Sequence, residues 1–142
     1  MKLFGKQTQT EAYAKELTSL SAGNPVSMRR GEAQWSIVIG TRMVLTTSSW
    51  RLVGAKSIIV TSDDDGHQFG FPSPVDAEAK ANEALLEAKI AGVEIDKRTG
   101  DCSLHFSEAL SLQVLTWSLG YETWQLYRDG EFFGAVGNEG LR

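Results

Sequence analysis

The chain has 142 residues, 42% hydrophobic and 23% charged, with 3 Pro and one cysteine, Cys102, which is enough apolar material for one core and excludes an intrachain disulfide framework. Its net charge of −4 is unevenly spread: residues 1–60 carry 8 Lys and Arg against 3 Asp and Glu, residues 61–96 carry 2 against 9, and the rest 4 against 6. A pI near 5.2 argues against a nucleic-acid partner, even with Arg29, Arg30, Arg42, Arg51 and Lys56 close in sequence to Trp35 and Trp50, whereas an acidic middle third suits a basic protein.

Met1 to Lys6 starts basic but runs into Gln, Thr and Glu without the apolar stretch of a signal peptide. No apolar run reaches the roughly 20 residues of a membrane span. With a lone cysteine, these features set the expectation of a cytoplasmic protein that is not integral to a membrane.

Thr10 precedes a segment in which Tyr13, Leu17 and Leu20 share one helical face before Gly23, predicting a helix over about 10–21. Asn24-Pro25 turns the chain, and 28–32 reads as a polar connection. Residues 34–62 are rich in Trp, Ile, Val and Thr and divide into strands at Trp35 to Ile39, Met43 to Thr47, Trp50 to Val53 and Ser57 to Thr61. Asp63 to Pro72 is a loop by its Asp, Gly and Pro content. Ser73-Pro74-Val75-Asp76 then supplies a capping hydroxyl, a first-turn Pro and an acid, predicting a helix from Pro74 to about Lys89 with Ala77, Ala81, Ala84, Leu85 and Ala88 inward.

Beyond Gly92 the period becomes two. Val93 and Ile95, then Cys102, Leu104 and Phe106, alternate with polar residues about the turn Lys97 to Gly100. Strands follow around Leu110 to Val114, Tyr121 to Tyr127 and Glu131 to Val136, the last two joined by Asp129-Gly130. The expected fold is α+β: mainly an antiparallel β-meander sheet with a short N-terminal helix and one central helix packed on it. One domain over 1–142 divides into the helix, a strand-rich half over 34–62, an acidic loop and helix over 63–89, and a C-terminal meander over 92–136.

The run Thr99-Gly100-Asp101, then Gly120-Tyr121-Glu122-Thr123-Trp124-Gln125-Leu126, with Ser49-Trp50-Arg51-Leu52 earlier, resembles a family of small uncharacterised bacterial proteins that carry a Thr-Gly-Asp turn and a Tyr-Glu-x-Trp-x-Leu strand. That family is similar to immunity proteins, which neutralise toxin domains in bacterial competition. The resemblance spans about Gln34 to the end and implies a binding role without catalysis.

Asp63-Asp64-Asp65-Gly66 clusters hard oxygen ligands, but Gln68 and Pro74 stand where a helix-loop-helix calcium site needs Gly and Glu. Neither a metal nor another cofactor is expected. Cys102 and His105 are three apart and face opposite ways on a strand. Glu122, between Tyr121 and Trp124, is the best candidate for an acid-base group, yet no second acid is assigned to it. With no catalytic constellation and an acidic middle third, the expectation is a non-enzymatic protein-binding domain, and the resemblance implies an immunity protein that meets a basic toxin domain, here through Asp63, Asp64, Asp65, His67 and Glu122. The rival is a small-ligand binder or enzyme with a pocket between helix and sheet near Glu122.

Overall fold

The computed structural model describes residues 11, 14–107, 109–118, 121, 123–137 and 140–141. Thr10, Tyr13 and Glu122 lie outside them. Among the described residues the fold is α+β, with two antiparallel sheets and two α-helices. Helix α1 covers residues 14–21, and α2 covers Ala77–Leu85. The strands are β1 Val26–Arg30, β2 Trp35–Ile39, β3 Met43–Thr47, β4 Trp50–Val53, β5 Ile58–Thr61, β6 Ile90–Ile95, β7 Cys102–Phe106, β8 Ser111–Val114, β9 Trp124–Arg128, β10 Glu131–Gly137 and β11 Gly140–Leu141. The first sheet has the order β1-β2-β3-β9-β10-β11 and the second β5-β4-β8-β7-β6. Among the described residues no helix is long and apolar enough to cross a membrane.

Alternation decides the faces. Trp35, Ile37 and Ile39 of β2, Met43 and Leu45 of β3, and Trp124 and Leu126 of β9 are buried, and so are Trp50 and Leu52 of β4, Leu104 and Phe106 of β7, and Leu112 and Val114 of β8. These inward residues of both sheets join Leu17 of α1 and Ala77, Ala81 and Leu85 of α2 in one hydrophobic core. Trp35 and Trp50 meet edge to face with ring centroids 5.0 Å apart, linking one sheet to the other.

The C-terminal strands do not form one continuous meander. The segments β3–β4 and β8–β9 each pass from one sheet into the other, and they do so side by side: Thr47 pairs with Trp124 in the first sheet and Trp50 with Val114 in the second. Between these pairs the Leu115 N–H donates to the Ser49 carbonyl at 3.0 Å and Trp117 Nε1 donates to Ser48 Oγ at 3.2 Å. Buried Thr47 fixes this corner, its hydroxyl accepting the Ser49 N–H at 3.2 Å and lying 3.1 Å from the Thr123 carbonyl oxygen.

Two further sequence expectations need correction. Residues Val26–Arg30 form β1 instead of a polar connection, because Val26 and Met28 point inward while Arg30 pairs with Trp35 across the hairpin. Gly31 makes that hairpin possible, since a Cβ there would stand 2.3 Å from the Gln34 carbonyl oxygen. Helix α2 starts at Ala77 with Asp76 as its cap, the carboxylate accepting the Ala79 N–H at 3.1 Å, and it ends at Leu85. Val75 cannot join the helix because its N–H and C=O are paired across the loop to His67 and Gly66. The inward stripe is as expected, with Ala77, Ala81 and Leu85 buried and Ala84 and Ala88 packed on the core.

Helix side chains close two strand edges. Asn82 of α2 acts as a stand-in strand for β1: its Oδ1 accepts the Met28 N–H at 2.7 Å and its Nδ2 donates to the Met28 carbonyl at 2.9 Å. Thr18 of α1 does the same for β6, accepting the Val93 N–H at 3.0 Å. Replacing Asn82→Ala leaves both Met28 groups without these partners and is expected to cost about 1–3 kcal/mol. Urea denaturation checks the loss, and concentration-dependent association in sedimentation checks that the uncovered β1 edge recruits other chains.

Candidate functional site

Arg30, at the end of β1, holds the acidic segment in place. Its Nε donates to Asp65 Oδ2 at 2.7 Å, while its Nη2 donates to Asp65 Oδ1 at 2.8 Å and to Asp76 Oδ1 at 2.9 Å. The guanidinium also lies 5.4 Å from the centroid of the Trp35 ring, and the backbone N–H of Arg30 donates to Glu78 Oε2 at 2.8 Å. One cation thus gathers three carboxylates that flank the loop and open α2. The hydrogen bond from Arg30, helped by the Ala77 N–H, holds the Asp65 carboxyl below the ordinary carboxylate range. Asp76 is lowered first by the Ala79 N–H and then by Arg30.

Between these clamps, residues 66–75 double back as a small loop hairpin, closed by single backbone hydrogen bonds without a strand ladder. Gly66 N–H donates to the Val75 carbonyl and Val75 N–H to the His67 carbonyl, both at 2.8 Å. At the tip, Phe71 N–H donates to the Gln68 carbonyl at 2.8 Å, and the Gln68 amide returns a 2.8 Å bond to the Phe71 carbonyl. Phe69 has φ +50° and Gly70 φ +79°, the left-handed pair that a tight type I′ turn demands. A phenylalanine held there costs about 1–3 kcal/mol of backbone strain. The rings are arrayed on the outside: His67 stacks on Phe69 with centroids 5.5 Å apart, and Phe71 meets Phe69 edge-on at 6.5 Å. Phe69 is 62% and Phe71 53% exposed.

The residues singled out in the sequence take different places. Asp63 is exposed at the base of the hairpin. Asp64 is turned inward on the chain, its Oδ2 accepting the Thr61 N–H at 3.0 Å while Thr61 Oγ1 accepts its own N–H, a reciprocal cap on the short 3₁₀ turn Ser62–Asp64. Asp65 is engaged by Arg30. His67 stands on the hairpin among the aromatics. Glu122 lies outside the described residues. Sequence reasoning missed Arg30, Phe69 and Phe71; the available signal was two aromatics bracketing a Gly in a loop where only polar residues are expected.

The remaining candidates for chemistry separate. Cys102 is fully buried, and desolvation, with the charge of Asp101 adding to it, pushes its thiol up to about 12. His105 faces outward on β7, with Nε2 2.7 Å from Glu94 Oε1, so Cys102 and His105 occupy opposite faces. Among the described residues no group of three or more His, Cys, Asp and Glu is placed to hold a metal ion. A groove does lie between α2 and the second sheet, but His105 does not line it. No protein-family model matches the chain, and neither a curated protein nor a solved structure resembles it significantly.

Two outcomes follow from this electrostatic arrangement. Because the folded-state pKa of Asp65 is depressed, its stabilisation is full above the ordinary carboxylate range and is lost as pH falls through the lowered value. Arg30→Met is expected to cost about 1 kcal/mol at neutral pH through the Arg30–Asp65 pair, a figure already reduced for partial exposure, and the gap from wild type should narrow below about pH 4. Denaturation midpoints across pH measure it. Cys102 should react with a thiol reagent only at the rate of global unfolding, as followed by the release of a chromogenic thiolate.

Proposed function

We propose that this domain is a non-enzymatic protein-binding module, and specifically an immunity protein that occludes a toxin domain, with the 63–75 segment as its contact. The observation that carries this reading is the braced hairpin that presents His67, Phe69 and Phe71 to solvent. Exposed apolar side chains are common, but a phenylalanine at positive φ, its ring set between those of His67 and Phe71 on an ion-pair-braced loop and 62% exposed, is not there for the packing of the core. Rigid aromatic anchors of this kind supply most of the energy at interfaces, because little entropy remains to be lost when they dock. Asp63 beside them would attract a basic partner and speed its encounter. The resemblance of the Thr99-Gly100-Asp101 turn and the Tyr121 to Leu126 segment to proteins similar to immunity proteins supports the toxin as that partner.

Co-expression with the product of the adjoining upstream gene tests the reading. A complex that co-purifies, and that weakens by about 30-fold or more in Phe69→Ser/Phe71→Ser at unchanged thermal midpoint, is the expected result. Absence of any complex with that product would sink the toxin assignment, and a complex indifferent to the double substitution would remove the hairpin from the interface.

A further inference from the structure

At the opposite end of α2 from the hairpin, a groove of about 580 Å³ opens between the end of the helix and the second sheet. Ile59, Ala84, Ala88 and Leu110 give it apolar walls, and Gly54 leaves room at the turn between β4 and β5. Leu86, 80% exposed, stands at the lip. Glu83 and Glu87 both line this space. Both are exposed, and neither makes an ion pair or hydrogen bond to another described side chain, unlike Asp65, Asp76 and Glu78 at the other end of the helix.

The two carboxylates sit where the fold itself gains least from them. Glu83 is in the last turn of α2, which contains no basic residue, and Glu87 lies just beyond it. The carbonyl end of a helix carries partial negative charge, so a cation is favoured there and an acid is not. Lys80 and Lys89 are the nearest lysines in sequence, and neither lines the groove. Two carboxylates and a helix terminus therefore give negative potential to a partly apolar groove that no positively charged side chain among the described residues lines.

We propose that this groove is a second docking site, for a polypeptide segment that carries an arginine or lysine next to an aliphatic side chain. The aliphatic group would lie on Ile59, Ala84, Ala88 and Leu110, and the cation would reach Glu83 and Glu87 in charge-assisted hydrogen bonds. Charge complementarity selects this occupant over an acidic or wholly apolar one, either of which would bury the carboxylates unpaired. The inference is independent of the hairpin as a contact.

A peptide of alternating leucine and arginine is the probe, with leucine–glutamate and leucine–serine peptides of the same length as controls. In proton–nitrogen correlation spectra of the isotope-labelled full chain, the arginine peptide is expected to shift the amides of Gly54, Ser107 and Ala84 to Ala88 in a saturable, salt-sensitive way. Glu83→Gln/Glu87→Gln should weaken that binding about tenfold, and, because repulsion at the helix end is relieved, should raise the thermal midpoint of the free protein. Phe69→Ser/Phe71→Ser should leave it unchanged, which separates this site from the hairpin. Equal binding of the leucine–serine peptide, shifts scattered away from the groove, or indifference to the glutamate substitutions would each overturn the proposal.

Discussion

A strand at the margin of a sheet presents unpaired N–H and C=O groups, and at β1 that demand is met by helix side chains instead of another strand. Asn82 supplies both a donor and an acceptor to Met28, and Glu78 accepts the next outward N–H at Arg30. These bonds fix how far along β1 the helix sits. Once α2 is placed, its first turn must lie beside Arg30, and its last turn must lie over the β4–β5 and β7–β8 turns. The hairpin before the helix and the groove after it are both consequences of the same edge closure.

The acidity of the middle third is divided by this arrangement. Asp65, Asp76 and Glu78 are drawn toward one arginine, and Asp64 caps a turn, so these acids work within the fold. Asp63 faces solvent, and Glu83 and Glu87 line the open groove. A count of charge along the chain treats the two groups alike, and in total charge they are alike, since Arg30 cancels one of the four charges of the first; they differ in that the first is fixed by hydrogen bonds within the fold while the second is left to meet a partner. Arg30 is thereby structural in spite of its exposure.

Much of the fold could be read from residue patterns. Strands β2 to β5 follow from apolar residues at alternate positions between small or polar turns, and the Asp129-Gly130 hairpin from its two left-handed residues. Strand β1 escaped because only Val26 and Met28 point inward before two arginines break the pattern. The start of α2 was misplaced because Ser73-Pro74 and Asp76 both satisfy capping chemistry, and the choice is made by Val75 pairing with His67 and Gly66. A period of two assigns faces but not partners, so the passage of the chain between sheets after β8 has no local signature. At the site, the acids and His67 were visible, whereas the fate of Asp65 depends on an arginine distant in sequence, and the display of Phe69 and Phe71 depends on backbone pairing across the loop.

The side-by-side passage of β3–β4 and β8–β9 has a consequence for the order in which the molecule can assemble. Met43 finds its partner at Arg128 and Trp50 at Val114, so neither sheet is complete until strands from late in the chain arrive. During synthesis, β1, β2 and β3 can pair as hairpins, as can β4 with β5, but β3 and β4 are each left with one bare edge. Such non-local closure slows folding, because the entropy of a long loop must be lost before the contacts form. The nascent chain therefore carries two sticky margins through most of its emergence, and the interval before β8 and β9 dock is when a chaperone would protect it most.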